Sequence, residues 1–232
     1  MLLQAHIDGQ RVLELAERDD GYINGGPPDL YFAAPPDWPE YDQRMLDRLD
    51  GPTLDIGTGA GRFALALQDR GVPVVGLDTS PAAVRVCAGR GVEATVCASV
   101  HRHARDAAGA YRHMLLAGNN LGLLGSRAEA PGFLSALAAM AAPGATVVAQ
   151  GMDPYATDDP GHHAYHERNR ARGRMGGQLR LRIRFRQFAT DWFDYLFCTP
   201  DELADLLRDT GWTLSEVDDS GGPAYVAVLR RL

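Results

Sequence analysis

From residue 52 to residue 150, short apolar runs alternate with segments of helical spacing. Residues 53–56, 72–77, 92–97, 112–117 and 145–150 read as strands, and 62–70, 81–89 and 131–141 as helices between them. Strands that alternate with helices of this length pair in parallel through right-handed crossovers. Each strand is nearly all apolar, which a sheet covered on both faces requires.

The pattern changes on either side. Residues 12–18 read as a short helix, and 40–49 as a helix with Tyr41, Met45, Leu46 and Leu49 on one face. Between them, GYINGGPPDLYFAAPPDWP is too rich in Gly and Pro for regular structure. Its aromatics Tyr22, Tyr31, Phe32 and Trp38 leave two readings open: a lid over a pocket, or a strap packed on the core. After Gly151, residues 152–177 read as polar loop. Residues 178–187 then alternate Leu179, Leu181, Ile183 and Phe185 with Arg180, Arg182, Arg184 and Arg186. Period two predicts a strand with one apolar face and one arginine face, for which 191–197 is a pairing partner. Residues 200–210 read as a helix, with Thr199 as N-cap, Glu202 near its start and Gly211 at its end. Residues 214–217 and 224–229, joined through DDSGG, read as a closing antiparallel hairpin. The organisation expected is one domain over 1–232, with an N-terminal lid region (1–50) and an insertion (152–198).

Composition narrows the function. The formal net charge of −7 argues against general nucleic-acid binding through phosphate neutralisation. All 23 basic residues are arginine, so Schiff-base chemistry on a lysine is excluded. Eight of these arginines lie between Arg168 and Arg186: a solvated face partly neutralised by Glu167, Asp191 and Asp194, an acidic-substrate or partner site, or a homodimer interface. Cys87, Cys97 and Cys198 are far apart and show no metal-ligand spacing, so they are read as reduced, and no metal site is expected. No membrane-length apolar run and no cleavable leader pattern are present, and the expected location is the cytoplasm.

The chemistry sits in Leu54-Asp55-Ile56-Gly57-Thr58-Gly59-Ala60-Gly61-Arg62, at a strand-to-helix turn. Gly57 and Gly59 let the backbone turn sharply and a ligand come close. Free N–H groups at a helix start suit an anionic group, which in dinucleotide sites is pyrophosphate. Asp55, just before the first glycine, would repel phosphates and suits an ammonium group. One strand later, Val74-Val75-Gly76-Leu77-Asp78 ends in an acid about 20 residues after the glycines, where a carboxylate can accept both hydrogen bonds of a ribose diol.

LDIGTGAGRFALAL followed by VVGLDTSPAAV resembles motifs I and II of the class I S-adenosylmethionine (SAM) dependent methyltransferases. The likeness continues through AYRHMLLAGNNLGLLG and LAAMAAPGATVVAQG, and its strand-four loop is similar to that of the small-molecule members. The resemblance implies an α/β, Rossmann-like seven-stranded sheet, mostly parallel, with an antiparallel last strand, an N-terminal lid and an inserted β-hairpin. It implies SAM as cofactor and methyl transfer to a small-molecule acceptor by in-line displacement in a water-excluded pocket. Gly57, Thr58 and Gly59 would lie against the methionine part, Asp55 near its amino group, Asp78 on the ribose hydroxyls and Thr79 beside the adenine. Ala98 and Ser99 would touch the adenine edge, where many members carry an aspartate, and Leu116, Ala117 and Gly118 would flank the cofactor. The Asp/Asn-Pro-Pro-Tyr sequence of base-amino and glutamine-amide methylating members is absent after strand four.

On the acceptor side, the available bases after strand five are Asp153, His162, His163 and His166, with His163 or His166 preferred. A solvated loop with incidental histidines is the competing reading. Tyr22, Tyr31 and Tyr155 are candidates for lining the pocket, and Trp192 and Phe193 for walling it or packing in the core. Asn119 and Asn120 either cap the next turn or reach the acceptor. Three other functions stay open: a SAM-site enzyme with different chemistry such as cyclisation, a SAM- or nucleotide-binding accessory protein, and an NAD(P)-dependent oxidoreductase. The last gives Asp55 no role.

Overall fold

A computed structural model describes every residue except Ser220. In chain order the elements are α1 (Leu2–Ile7), β1 (Glu14–Arg18), β2 (Ile23–Gly26), α2 (Glu40–Leu46), β3 (Thr53–Ile56), α3 (Arg62–Asp69), β4 (Val74–Asp78), α4 (Pro81–Gly89), β5 (Thr95–Cys97) and α5 (Val100–His103). There follow β6 (Tyr111–Leu116), α6 (Ala130–Met140), β7 (Ala141–Met152), α7 (Pro160–Ala171), β8 (Gln178–Phe185), β9 (Phe188–Ala189), β10 (Phe193–Leu196), α8 (Pro200–Leu206), β11 (Trp212–Asp219) and β12 (Ala224–Arg231).

Seven strands form the central sheet, in the order β11-β12-β7-β6-β3-β4-β5. β3 is parallel to β4 and β6, β4 to β5, and β6 to β7, while β12 runs antiparallel to both β7 and β11. The Rossmann-like fold expected from the sequence is therefore observed. Alternation sorts each strand's side chains between two cores. Met114, Leu116, Val147 and Ala149 go to one, with Phe133 and Leu137 of α6. Leu115 and Val148 go to the other, with Met45 and Leu46 of α2 and Phe63 and Leu67 of α3. Both faces are dry, which is why these strands read as unbroken apolar runs. The Thr199 N-cap expected at the start of α8 is present and forms a capping box with Glu202.

A second, five-stranded sheet lies outside this frame, in the order β10-β8-β1-β2 with β9 on β8. It joins the N-terminal region to the insertion, since β1 pairs antiparallel with β2 and with β8. This corrects two expectations. The helix expected over 12–18 is a strand, because Leu15 and Glu17 face Arg184 and Arg182 across the ladder and tertiary pairing overrides the local pattern. The stretch expected to lack regular structure supplies β2, whose glycines let the chain lie close on β1; a Cβ on Gly25 would stand 2.5 Å from Leu15 Cδ2.

A third correction falls on the expected loop at 152–177. It contains α7, opened by the Asp159 N-cap, whose carboxylate accepts from Gly161 N at 2.7 Å, and by Pro160 at the first helical position. Its apolar periodicity is faint because it buries only Tyr165, His166 and Asn169. Tyr165 donates to Asp19 at 2.7 Å and lies under the Arg18 guanidinium at 4.0 Å. Asn169 Nδ2 donates to the carbonyls of Gly176 (2.9 Å) and Gln178 (2.7 Å), all out of water. These contacts fix α7 to the lid sheet.

The arginine face is partly neutralised within the sheet. Arg182 and Arg184 reach Glu17 at 2.9 and 2.8 Å, and Arg180 reaches Asp194 at 3.2 Å. Asp194 was an expected partner, whereas Glu17 comes from β1. Among the described residues, no helix is long and apolar enough to cross a membrane.

Replacing Asn169 with Ala orphans two buried carbonyls, each worth about 1–3 kcal/mol. Chemical denaturation of Asn169→Ala is expected to show a loss of about 2–4 kcal/mol; a loss within error of zero contradicts the tether.

Candidate active site

The turn from β3 into α3 is held from three sides. The Gly57 and Thr58 N–H groups donate to the Leu77 carbonyl of β4 at 2.8 and 3.1 Å. Asn120 Nδ2 donates to the carbonyls of Ile56 (3.0 Å) and Gly57 (3.2 Å). Asp78, at the end of β4, accepts from Gly59 N (3.1 Å) and Ser80 N (2.8 Å) through different oxygens. Gly57 has φ +72°, and a Cβ there would stand 2.5 Å from Asn120 Nδ2, so both conformation and space require glycine. Asn120 is thus a brace on the glycine turn.

Asp55 lies beneath this turn, 3% exposed, and accepts from Thr58 Oγ1 at 2.7 Å. Burial pushes its carboxyl up to about 6, against the hydrogen bond from Thr58 and the charge of Arg62. A buried carboxylate short of charge compensation is a site for a cationic ligand group.

Two cavities meet at the turn, of about 680 and 660 Å³, and both are walled by Gly57, Asp78 and Asn120. Together they suit a ligand extended across the C-terminal ends of the parallel strands. Asp55, Thr58, Gly59, Ala117 and Gly118 line the first; Thr79, Ala98 and Ser99 line the second, with Val100 and His101. The Ser99 hydroxyl accepts from Arg102 N at 3.2 Å, capping α5. Leu116 is a core residue, 1% exposed, that lines neither cavity. Phe193 of the lid sheet and Trp192 just before it wall the second cavity together with Ala98 and Ser99.

The lid closes the first cavity with Tyr31, Glu14 and Ile183. Tyr31 donates its hydroxyl to Glu14 Oε2 at 2.7 Å. Over a third of Tyr31 is exposed, yet burial around the hydroxyl, and then the Glu14 carboxylate, raise the phenol well above its ordinary range. The Arg90 guanidinium donates to the carbonyls of Tyr31 and Ala60, linking lid and glycine turn. At the inner wall, Arg62 Nη2 meets Asp42 Oδ2 at 2.7 Å in a buried pair. Asp42 Oδ1 and Arg62 Nη1 are buried with no hydrogen-bond partner. Such atoms mark either strain or a ligand that completes them.

The four residues expected as bases stand apart from these cavities. His162, His163 and His166 are on α7, Asp153 follows β7, and none lines either cavity. His162 is bonded to Thr157 at 3.2 Å, with its ring edge-on to Tyr22. His166 is buried against Tyr155, and burial followed by Arg170 pushes it down to about 4, so it is neutral at physiological pH. Asp153 accepts from Tyr155 N at 2.8 Å. Tyr22 and Tyr155 also line neither cavity, whereas Tyr31 does. Sequence reasoning missed Glu14, Asp42, Arg62 and Gln150 as cavity residues. Of these, only Arg62 carried a signal, its position directly after the third glycine.

Comparison with known proteins agrees with this geometry. The sequence profile of a family described as "Methyltransferase domain" matches residues 34–217, well over half of the chain. The chain belongs to that family, within the class I SAM-dependent methyltransferases. No curated relative matches it. Among solved structures, it is similar to a SAM-dependent methyltransferase from Bacteroides fragilis in complex with S-adenosylhomocysteine (TM-score 0.84, 21% identity, covering 99% of this chain and 92% of the other). It is also similar to the CcbJ methyltransferase from Streptomyces caelestis (0.62, 19%, 88% and 95%). A third likeness is to a SAM-bound amino pentose methyltransferase from Micromonospora echinaspora (0.57, 18%, 85% and 94%). At these identities the likenesses establish the fold.

Asp55 carries a stability cost with a defined pH window. Its folded value, about 6, lies above the ordinary 3.8, so the cost is present above pH 6 and fades as pH falls toward 4. At pH 8, Asp55→Asn is expected to stabilise the ligand-free protein by about 1–3 kcal/mol in thermal or chemical melts. A variant destabilised at pH 8 contradicts the assignment.

Proposed function

We propose that the two cavities together bind SAM and that the space under the lid receives a small acceptor molecule, to which the enzyme transfers the methyl group. The observation that carries this reading is the pairing of Asp55, buried and short of a counter-charge, with Asp78 at the junction of the cavities. That arrangement suits an amino-acid-bearing nucleoside and opposes a diphosphate. The residues present fit the ligand: Asp55 for the ammonium, the unpartnered Arg62 Nη1 for the carboxylate and Asp78 for the ribose diol. Each Asp78 oxygen spends one lone pair on a backbone N–H and keeps another. Thr79, Ala98 and Ser99 would edge the adenine, with Phe133 and Trp192 as apolar walls.

Bound there, SAM supplies a methyl group already activated by the positive sulfur. The work left to the protein is alignment and exclusion of water. Asn120 and the Leu77 carbonyl fix the glycine turn, and Arg90 ties the lid to it, so the acceptor space closes over a rigid floor. We assign the acceptor side to Glu14, Tyr31 and Tyr41, which line the same cavity as the glycine turn, in preference to the α7 histidines, which do not.

The direct test is incubation with methyl-labelled SAM and a metabolite extract of the host, followed by mass analysis. A labelled product is expected, and none despite tight SAM binding overturns transfer in favour of an accessory role. Asp78→Ala is expected to weaken S-adenosylhomocysteine binding by about 30-fold or more in calorimetry, as lost charged hydrogen bonds imply. An unchanged dissociation constant means the ribose lies elsewhere. With an ammonium on Asp55, affinity falls as pH drops through about 6, and Asp55→Asn abolishes that dependence.

A further inference from the structure

The walls of the acceptor's cavity narrow its chemistry. The charged side chains lining it are Glu14, Asp42, Asp55 and Asp78 against a single guanidinium, Arg62. Arg62 pairs with Asp42 through Nη2, and its Nη1 is assigned above to the cofactor carboxylate. In the assignment above, Asp55 and Asp78 face the cofactor, which leaves Glu14 as the acidic group at the lid end.

Glu14 is placed there by the lid sheet. Ala16 of β1 stands opposite Ile183 of β8, so alternation puts Glu14, Ala16 and Ile183 on one face. Glu17 lies on the other face, with Arg182 and Arg184. The strand thus separates two carboxylates: Glu17 is consumed by arginines, and Glu14 enters the cavity paired only with a neutral phenol. The Tyr31 hydroxyl satisfies Glu14 Oε2, and Oε1 has no described partner. Asp42 Oδ1, in a side chain 1% exposed, is a second oxygen at this cavity that lacks a donor. Among the described residues no histidine or cysteine lines the cavity, and the bases there are carboxylates, which are weak bases toward an alcohol. An acidic acceptor would be repelled by the Glu14 carboxylate at the lid end.

We propose that the acceptor is an amine, held by an N–H···O contact to Glu14 and methylated on nitrogen. This inference rests on the methyl-transfer reading above. An amine meets each condition. As a cation it is drawn to the cavity, and its neutral fraction carries the nucleophilic lone pair without a strong base. In the reaction, that lone pair forms the N–C bond while the C–S bond breaks with its electron pair retained on sulfur, leaving a neutral thioether. The methylated nitrogen then sheds its extra proton to solvent. Glu14 accepts a hydrogen bond from the acceptor's N–H and so points the lone pair at the methyl group. Tyr31 holds the Glu14 carboxylate in place and acts as a positioning residue.

The experiment uses the full-length protein in three arms. Titration with S-adenosylhomocysteine comes first, and absence of binding refutes the underlying cofactor reading rather than this inference. Benzylamine, benzyl alcohol and benzoate are then titrated into the S-adenosylhomocysteine complex by ligand-observed NMR. Benzylamine is expected to bind about tenfold or more tightly than either isostere, the scale of one charged hydrogen bond. Glu14→Gln is expected to erase that preference while leaving S-adenosylhomocysteine affinity within about twofold, and Tyr31→Phe to keep the preference with weaker binding. Equal affinities for the three probes, failure of all three to bind, or a preference that survives Glu14→Gln overturns the proposal. Last, the labelled methyl in the product from host extract is expected on nitrogen. A label on oxygen, carbon or sulfur overturns the amine assignment and leaves methyl transfer standing.

Discussion

The glycine turn after β3 has nowhere to relax. Leu77 O takes two of its N–H groups, Asp78 a third, and Asn120 grips its carbonyls from above. Every other part of the site is referred to it. Asp55 is buried because the turn folds over it, the two cavities are divided by it, and the lid is latched to it through Arg90. The turn is framed by a parallel sheet with a close-packed apolar core on each face.

A second consequence concerns polar burial. Asp55 is ionised at physiological pH only against a desolvation penalty, and the Asp42–Arg62 pair leaves one atom of each partner unsatisfied. A fold optimised for stability alone would have removed these groups. Their retention around one cavity, beside a turn that brings backbone close to a ligand, is the signature of a site completed by something that binds.

The central sheet was legible from the sequence because its inner strands, such as β3 and β6, are buried on both faces and each helix between them has a clear start. Thr53–Ile56 and Pro81–Gly89 fall where periodicity and the N-terminal proline place them. The cofactor half was legible for a related reason: glycines and acids at strand ends are local signals. The lid was not. β1 reads as a helix because Val12, Leu13, Leu15 and Ala16 suit either period, and only pairing with β8, far along the chain, selects the strand. α7 was hidden by its polarity, although Asp159-Pro160 marked its start. Glu14 carried no signal at all. Its place in a cavity depends on two segments, 14–18 and 178–185, that meet only in three dimensions. The histidines had the opposite fate: conspicuous in sequence, they lie on a helix that braces the lid from outside the cavities.

What the paired acids hold decides the function. The most direct measurement is a crystal structure grown with S-adenosylhomocysteine and nicotinamide dinucleotide present together. The homocysteine amino group is expected beside Asp55, the ribose diol on Asp78 and the adenine between Ser99 and Trp192. A dinucleotide in that place, or a nucleoside whose ribose is remote from Asp78, would contradict that assignment.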